Sequence, residues 1–283
     1  MYKVIDGKAL AENLRSDLKK KISEYKYKYG EDIGLAVVLV GNNPASQVYV
    51  RNKIKACEEV GVKSYAYYLP EETSQNELED LLHSLAEDKN IHGILVQLPL
   101  PKHLNAESAL KIIPFEKDVD GFSAENVGKL SQNAQCLVAC TPNGVMKMLE
   151  SENISVRGKK AVVIGRSDIV GKPMAMLLLN ADATVTVCHS KTQNLKEECL
   201  QADILVAAVG KAKFVTADMV KQGAVVIDVG MNRDENGKLC GDVDFDAVKE
   251  KCSYITPVPK GVGPMTITML MYNTYIAALR SRS

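Results

Sequence analysis

The spacing of apolar residues changes repeatedly along the first half of the chain, between the period of a helix and the short runs of a buried strand. Leu10, Leu14, Leu18 and Ile22 lie at helical spacing and predict a helix over about 7–29. The next predicted elements are a strand at 35–40, a helix at about 44–60, a strand near 64–69, a helix near 74–88 and a strand at 92–100. Strands that alternate with helices of this length indicate βαβ units and a parallel sheet.

The alternation starts again in the second half, after a helix predicted at about 142–152. Strands are predicted at 161–165, 184–188, 203–210, 224–230 and 254–257, and an apolar helix at 265–279. Two runs of this kind predict two α/β domains. The last helix follows the strands of the second run, and we expect it to return to the first domain. The predicted boundaries are 1–141 with 264–283 for the first domain and 142–263 for the second.

A glycine-containing turn follows the first strand of the second run, in the segment KAVVIGRSDIVGKP (160–173). The apolar strand leads into a turn between Gly165 and Gly171, and a helix is predicted to open at about Pro173. Such a turn presents backbone N–H groups and a helix N-terminus to a phosphate. The G-x-G-x-x-G spacing is absent, so an ordinary tight turn is the alternative interpretation.

The residues after the next strand, ATVTVCHSKT (183–192), favour one dinucleotide over another. NAD-binding domains usually place an acidic residue there, which accepts a hydrogen bond from the ribose 2′-hydroxyl. This chain instead has Ser190 and Lys191, with Arg166 in the preceding turn, and these donors suit a 2′-phosphate. The sequence therefore predicts a Rossmann-like second domain that binds NADP. The alternative is that Arg166 and Lys191 are only solvated surface charges.

Polar side chains of the first half fall where its predicted strands end. Tyr49 and Lys53 are four residues apart and share one face of a helix. Gln97 follows the apolar run GILV, and Asp118 and Asp120 precede a glycine in a loop. These residues supply an amine, a phenol, an amide and a carboxylate at separate strand ends. An α/β enzyme can use such a set to hold a polar heterocycle and move a proton. Taken singly, each also fits a structural role: a solvated lysine, a core tyrosine or a turn.

Seven blocks, in order along nearly the whole chain, resemble the signature segments of the bifunctional methylenetetrahydrofolate dehydrogenase/methenyltetrahydrofolate cyclohydrolase family. They are VGNNPASQVYVRNK (40–53), GILVQLPLP (93–101), KDVDGF (117–122), CTPNG (140–144), GRSDIVGKP (165–173), DVGMN (228–232) and TPVPKGVGPMT (256–266). The resemblance implies NADP-dependent oxidation of 5,10-methylenetetrahydrofolate to 5,10-methenyltetrahydrofolate, followed by hydrolysis to 10-formyltetrahydrofolate. It also implies a homodimer.

The resemblance further implies roles for individual residues. The implied catalytic residues are Lys53, Tyr49 and Gln97. The resemblance also implies that Asp120 binds the pterin ring and that the segment 259–263 closes over the folate. The implied substrate-binding residues are Tyr49, Lys53, Val96, Gln97, Leu98, Asp120, Pro259, Gly261, Val262 and Gly263. The implied NADP-binding residues are Gly165, Arg166, Ser167, Ser190 and Met231. The chain departs from the family pattern at two positions, with Lys260 where a glycine is common and Met231 where an isoleucine is common.

Composition excludes several other classes of protein. The 283 residues are 46% hydrophobic, enough for two domains of ordinary size, and the 35 basic and 35 acidic residues give no net charge. Nothing therefore favours a nucleic-acid or membrane partner. The start of the chain lacks the apolar segment of an export signal. Seven cysteines without paired spacing and four scattered histidines predict reduced thiols and no metal site. We expect a cytoplasmic protein.

Two other functions are consistent with parts of the sequence. An NADP-dependent dehydrogenase of related two-domain architecture, acting on shikimate or an amino acid, would explain the second half. It would leave Tyr49, Lys53 and Gln97 without a role. A regulatory nucleotide-binding module without catalysis would need neither the lysine nor the aspartate of the first half. An assay for NADPH formation with methylenetetrahydrofolate separates these possibilities.

Overall fold

The computed structural model describes residues 2–282, which divide into two compact units. The N-terminal unit consists of Asn13–Cys140 together with the chain from Ile267 onward. The C-terminal unit consists of the chain up to Glu12 together with Thr141–Thr266. Both units contain parallel strands and helices, as the apolar pattern predicted. The sequence prediction assigned the first twelve residues to the first domain, whereas the structure groups the chain up to Glu12 with the C-terminal unit.

A three-stranded parallel sheet forms the centre of the N-terminal unit. Its strands are β2 (Gly34–Val40), β3 (Lys63–Leu69) and β4 (Gly93–Val96), in the order β3-β2-β4. Every residue of β2 and β4 is buried. This is expected for parallel strands that are covered on both faces, and it explains why their sequences are continuously apolar.

The helices of the first half lie close to their predicted positions. They are α1 (Gly7–Tyr29), α2 (Pro44–Val60) and α3 (Gln75–Glu87). The Asn43 side chain accepts a hydrogen bond from the Ser46 backbone N–H at 3.1 Å, and a proline occupies the first turn. Gly61, with φ +87°, ends the helix in the left-handed conformation. These end signals fix which side chains of α2 point toward the sheet.

Strand β4 is shorter than the predicted 92–100. Its pairing with β2 ends at Val96, which lies opposite Val38, and only the Gln97 backbone N–H continues, donating to the Val38 carbonyl at 2.8 Å. The prolines that follow have no backbone N–H group, so they cannot continue the hydrogen bonds between strands. A later segment lies beside β4 instead: Ile94 forms a single parallel bridge with Asp118. Gln97 and the loop of Asp118 therefore lie at the same end of the sheet.

The C-terminal unit is built on a six-stranded sheet in which every pairing is parallel. Its strands are β1 (Lys3–Val4), β5 (Lys160–Ile164), β6 (Thr184–Cys188), β7 (Ile204–Ala207), β8 (Ala224–Asp228) and β11 (Cys252–Ile255), in the order β1-β11-β8-β7-β5-β6. The strand order reverses at β5. Ligands of open α/β sheets bind beyond the carboxyl ends of the strands at such a point.

The remaining elements are mostly short, and several were not predicted. They are α4 (Ala106–Ile112), α5 (Ala124–Ser131), α6 (Cys140–Ser151), α7 (Gly171–Asn180), α8 (Leu195–Leu200), β9 (Asn232–Arg233), β10 (Leu239–Cys240), α9 (Phe245–Val248) and α10 (Val262–Arg280). Strand β1 was also missed, because two residues cannot show a period. None of the helices within residues 2–282 combines the length and the apolar character needed to cross a membrane.

The last helix returns to the N-terminal unit, as predicted. There α10 packs against α1: Arg15 Nη1 donates to Thr268 Oγ1 at 2.9 Å, and Tyr25 Oη donates to the Ala278 carbonyl at 3.5 Å. Most of α10 is buried, which agrees with its apolar composition. A polar residue in its middle, Asn273, is buried as well.

Candidate active site

A lysine and a glutamine meet beyond the end of β4. Lys53 lies in the middle of α2, four residues after Tyr49, and its Nζ donates a hydrogen bond to Gln97 Oε1 at 3.0 Å. Gln97 Nε2 donates to the Leu98 carbonyl at 2.7 Å, which fixes the amide so that its oxygen faces the lysine. Val96, the residue before Gln97, is buried, whereas Tyr49 is exposed. The structure thus brings together two of the predicted residues from separate elements.

The two aspartates of the D-V-D-G turn have different environments. Asp118 is buried, and its carboxylate accepts hydrogen bonds from the backbone N–H groups of Gly121 and Ser123 and from Asn126 Nδ2, at 2.7–3.0 Å. Asp120 is half-buried, and within residues 2–282 its carboxylate has no hydrogen bond and no ion pair. Asp118 therefore builds the turn, and Asp120 retains its acceptor oxygens for a ligand.

Asp120, Lys53 and Cys140 form one electrostatic cluster. Burial raises the pKa of Asp120 to about 6, with the Lys53 charge opposing the shift and the Asp118 charge adding to it. Burial also raises the pKa of the Cys140 thiol well above its usual range, and the Asp120 charge raises it further. The cluster therefore contains a cation, a carboxylate that titrates near neutral pH and a neutral thiol.

The turn after β5 requires glycine at both predicted positions. Gly165 has φ +128°, and a Cβ there would lie 2.2 Å from the Ala208 carbonyl oxygen. A Cβ on Gly171 would lie 2.2 Å from the Gly165 carbonyl oxygen. Helix α7 begins at Gly171, two residues before the predicted Pro173. No larger residue fits either position, so the chain passes directly from strand to helix in a tight loop.

This turn leaves backbone donors available at its tip. The Ser167 hydroxyl accepts hydrogen bonds from the Val170 and Gly171 backbone N–H groups at 3.2 and 3.4 Å, which closes the loop onto the start of α7. The backbone N–H groups of Arg166, Ser167 and Asp168 donate to no acceptor in the described part of the chain. Free N–H groups in a turn that leads into a helix favour an anion, so the turn fits a phosphate group.

The end of β6 lies next to this turn. Ile164 of β5 pairs with Cys188 of β6, so Arg166 and Ser190 each follow the last paired residue of adjacent strands by two positions. Arg166, Ser190 and Lys191 are all exposed. No acidic residue occurs between 188 and 192. The position that would carry a carboxylate for a ribose hydroxyl is thus occupied by groups that suit a 2′-phosphate.

The segment 259–263, predicted to close over a folate, belongs to the C-terminal unit. Lys260 has φ +81°, the left-handed conformation that glycine adopts most easily, and its carbonyl accepts from the Lys8 backbone N–H at 3.0 Å. A Cβ on Gly263 would lie 3.2 Å from Met231 Cε. The two residues that depart from the family pattern thus lie in one unit, and Lys260 occupies a position suited to glycine.

Replacing Lys260 with glycine should stabilise the protein. A left-handed conformation costs a residue with a Cβ about 1–2 kcal/mol, part of which is offset by the greater freedom of glycine in the unfolded chain. We expect the free energy of unfolding, measured by urea denaturation, to rise by up to about 1 kcal/mol. Lys260→Ala is the matched control, because it removes the charge and keeps the Cβ. Equal effects of the two substitutions would show that the backbone conformation is not the cause.

Two buried aspartates beside the predicted NADP residues were missed from the sequence. Asp242 accepts hydrogen bonds from three consecutive backbone N–H groups, at 209–211, and from Asn232 Nδ2. Asp228 accepts from three backbone N–H groups, two of them at 242–243, and burial raises its pKa to about 7. The pair fixes the loops that follow β7 and β8. For Asp228, one sign was present in the sequence: it is the acidic residue directly after an apolar run, at the start of DVGMN (228–232).

Known proteins similar to this chain identify its family. The model of the catalytic domain of tetrahydrofolate dehydrogenase/cyclohydrolase matches residues 5–120, and that of its NAD(P)-binding domain matches residues 139–282. The bifunctional protein FolD of Streptococcus agalactiae is 57% identical over 283 residues, the full length of both chains.

Solved structures agree with this result. The FolD methylenetetrahydrofolate dehydrogenase/cyclohydrolase of Campylobacter jejuni is 52% identical, with a TM-score of 0.97 over 99% of this chain and 100% of that one. The Trypanosoma brucei enzyme, solved with NADP and an inhibitor, is 40% identical, with a TM-score of 0.95 over 99% of this chain and 98% of that one.

The fold and the family models define the class of the protein: it is an α/β enzyme whose C-terminal unit is an NAD(P)-binding domain. The chain belongs to the tetrahydrofolate dehydrogenase/cyclohydrolase family. The resemblance seen in the sequence is confirmed. Within residues 2–282, no group of three or more histidine, cysteine, aspartate or glutamate side chains is placed to hold a metal ion.

Proposed function

We propose that the cluster around Lys53 handles the folate and that the turn after β5 holds NADP. The chain is a bifunctional enzyme that oxidises 5,10-methylenetetrahydrofolate to 5,10-methenyltetrahydrofolate and hydrolyses this product to 10-formyltetrahydrofolate. When bound, NADP supplies the oxidised nicotinamide that accepts the hydride. The observation that carries the assignment is the 3.0 Å hydrogen bond from Lys53 to Gln97, in the same cluster as Asp120.

Lys53 is the group we assign to proton transfer in the hydrolysis. Water must add to the methenyl carbon and lose both of its protons as the formyl C=O forms. One proton goes to the folate nitrogen N5 as its bond to that carbon breaks, and the other is released to solvent. Lys53 Nζ can move these protons, and Gln97 Oε1 holds it in one orientation by accepting its hydrogen bond. We assign Tyr49, one turn earlier on α2, to contact with the folate ring. We assign Val96 and Leu98, which flank Gln97, to the folate site on the family pattern.

Asp120 is the group we assign to recognition of the pterin ring. The ring offers an amino group and an adjacent N–H, and an ionised carboxylate can accept from both. The Asp120 carboxylate is half-buried and makes no hydrogen bond within residues 2–282, so both oxygens are available. The family pattern assigns the segment 259–263 to the folate as well, and we keep that assignment as part of the proposal.

The NADP assignment is supported by the shape and charge of the turn after β5. Gly165, Arg166 and Ser167 form a loop too tight for a Cβ at its first residue, with free backbone N–H groups that suit the phosphates. Ser190 and Arg166 suit the 2′-phosphate. We assign Met231, which follows β8 and is exposed, to the same nucleotide on the family pattern.

A double substitution, Arg166→Gln with Ser190→Asp, tests the choice of cofactor. It removes charge-assisted hydrogen bonds to the 2′-phosphate and adds a repulsive carboxylate, so kcat/KM with NADP should fall by about 100-fold or more. The value with NAD should fall much less. Arg157→Gln, another exposed arginine of the same unit, is the control and should change neither value. An unchanged ratio of NADP to NAD efficiency in the double variant would refute the assignment.

Separate assays of the two reactions test the overall function. The purified protein should hydrolyse methenyltetrahydrofolate with no nucleotide present, because only the other reaction transfers a hydride. It should reduce NADP with methylenetetrahydrofolate and not with shikimate or an amino acid. A simple nucleotide-binding module would do neither, and a dehydrogenase of another class would reduce NADP with one of the other substrates.

We further propose that two copies of the chain pair through the edge strand β6. This strand ends the six-stranded sheet, and an unpaired edge readily accepts another strand. Val187 of β6, Leu179 of α7 and Leu200 of α8 are exposed apolar residues of the same region. An exposed apolar patch at a sheet edge is typical of the interface of a two-fold dimer.

Val187→Lys should convert the dimer to a monomer in sedimentation or light-scattering measurements. A charge on this strand would be buried without a partner in the interface. Val4→Lys, on the strand at the opposite edge of the same sheet, is equally exposed in the wild type and should leave the dimer intact. A dimer that survives Val187→Lys, or is lost with Val4→Lys, contradicts this interface.

We place the enzyme in the cytoplasm, where its cofactor and substrate would be dissolved. All seven cysteines are free thiols, and five of them are buried. Proteins of oxidising compartments usually pair their cysteines, so this pattern favours a reducing compartment.

A further inference from the structure

We propose that Asn273, in the last helix of the chain, positions Asp120 for folate binding. Asn273 lies in α10, more than a hundred residues after the turn that carries Asp120, and both belong to the N-terminal unit. The inference rests on the proposed role of Asp120 as the group that accepts hydrogen bonds from the pterin. It adds a residue that acts through Asp120 without itself touching the substrate.

The Asn273 side chain connects two separate segments of backbone. Its Nδ2 donates to the Val119 carbonyl at 2.8 Å and to the Val138 carbonyl at 2.8 Å, and it lies 3.5 Å from Cys140 Sγ. The Val119 carbonyl belongs to the peptide bond that joins Val119 to Asp120. A hydrogen bond to that oxygen therefore fixes the peptide plane from which the Asp120 side chain projects.

The turn is held from its other side as well. Gly121 has φ +75°, and a Cβ there would lie 2.6 Å from the Val138 carbonyl carbon and from the Ala139 nitrogen. The chain around Asp120 thus packs directly against the same segment that Asn273 binds. Cys140 Sγ also donates to the Val119 carbonyl, at 3.3 Å. Asp120 lies between two anchored neighbours, although its own carboxylate has no hydrogen bond in the described chain.

An amide is the side chain that this position requires. Both of its N–H groups are directed at carbonyl oxygens, and the site is buried, so water cannot replace a lost donor at low cost. Leucine has a similar volume and no donor. Aspartate would direct a carboxylate at two carbonyl oxygens. A carboxylate that accepts hydrogen bonds from two donors of a planar ring must keep one orientation. It depends on a fixed backbone, because rotation of the carboxylate breaks one of the two hydrogen bonds and lowers the affinity for the ring.

The test compares Asn273→Leu with Thr274→Val, a control at the next position of α10. Thr274 is equally buried, but its hydroxyl bonds only to the Leu270 carbonyl of its own helix, at 2.8 Å. We expect Asn273→Leu to raise the folate KM about 10-fold in both reactions, since it removes donors from the backbone that carries Asp120. NADP binding measured without folate should not change. Thr274→Val should leave the folate KM within about 2-fold, because it does not contact the turn.

A double-mutant cycle separates positioning from general damage. In an Asp120→Ala background, Asn273→Leu should raise the folate KM no further, because the group it positions is gone. An equal increase with and without Asp120 would overturn the proposal, and so would an unchanged KM in the single variant. If Asn273→Leu does not fold, Asn273→Ser, which keeps one donor, is measured in the same cycle with the same criteria. If Asp120→Ala itself leaves folate binding unchanged, the proposed function of Asp120 is wrong, and the inference is wrong with it.

Discussion

Replacing Lys53 with methionine should remove most of the cyclohydrolase activity and leave a measurable dehydrogenase. Only hydrolysis needs protons to move to and from water, and general acid–base groups contribute about 10²–10⁴-fold to such steps. We therefore expect the hydrolysis rate to fall by at least about 100-fold. Methionine keeps most of the length of the side chain and cannot accept or donate these protons. Methenyltetrahydrofolate should then accumulate when the variant is given methylenetetrahydrofolate and NADP.

Lys55→Met is the matched control for this substitution. Lys55 lies on the same helix, two residues away, and is exposed. Its replacement should change neither activity by more than about 2-fold, as expected for an isolated surface site. Equal loss of both activities in Lys53→Met, with the fold intact by circular dichroism, would show that Lys53 only binds the folate. Full retention of hydrolysis would remove Lys53 from the mechanism.

Asp120→Ala should weaken folate binding in both reactions, by about 100-fold or more in kcat/KM, since two charge-assisted hydrogen bonds are lost from a site built around them. NADP binding measured without folate should stay unchanged, because the turn that we assign to the NADP phosphates lies in the other unit of the chain. Loss of NADP binding alone would contradict the assignment of Asp120 to the pterin.

The pH dependence of folate binding gives an independent test of Asp120. Burial raises the pKa of this carboxyl to about 6, compared with 3.8 for a free aspartate. The carboxylate that accepts the pterin donors is therefore lost as the pH falls through about 6, and the folate KM should rise there. In Asp120→Ala this rise should be absent. A folate KM that stays constant down to pH 4 in the wild type would show that Asp120 does not act as an ionised acceptor.

The apolar pattern predicted the two α/β units because their strands and helices are long enough to show a period. It extended β4 over 92–100, since Leu98 and Leu100 continue the apolar run after the pairing with β2 has ended at Val96. It missed β1, whose two residues pair with β11 across most of the chain. The prolines at 99 and 101 were a local sign that β4 ends early, because they cannot donate to a neighbouring strand. The pairing of β1 with a distant segment left no such sign.

The chemistry of the site was visible in residue types, and its geometry was not. Lys53 stood out by its spacing from Tyr49 on one helix face, and Gln97 as a polar residue at the end of a strand. Their contact, which joins α2 to the end of β4, could not be seen from the sequence. Asp242 and Asn273 were overlooked because they act on backbone groups far along the chain. Asn273 did leave one signal: it is an amide in the middle of a helix whose residues are mostly apolar.

The most direct test of the bifunctional assignment follows both reactions in one cuvette. Wild-type protein is mixed with methylenetetrahydrofolate and NADP, and NADPH is recorded by its fluorescence while methenyltetrahydrofolate is recorded by its absorbance. NADPH should form only when both compounds are present, and methenyltetrahydrofolate should pass through a maximum and disappear faster than in buffer alone, leaving 10-formyltetrahydrofolate. Accumulation of methenyltetrahydrofolate in step with NADPH, followed by decay at the rate of the buffer control, would contradict the account.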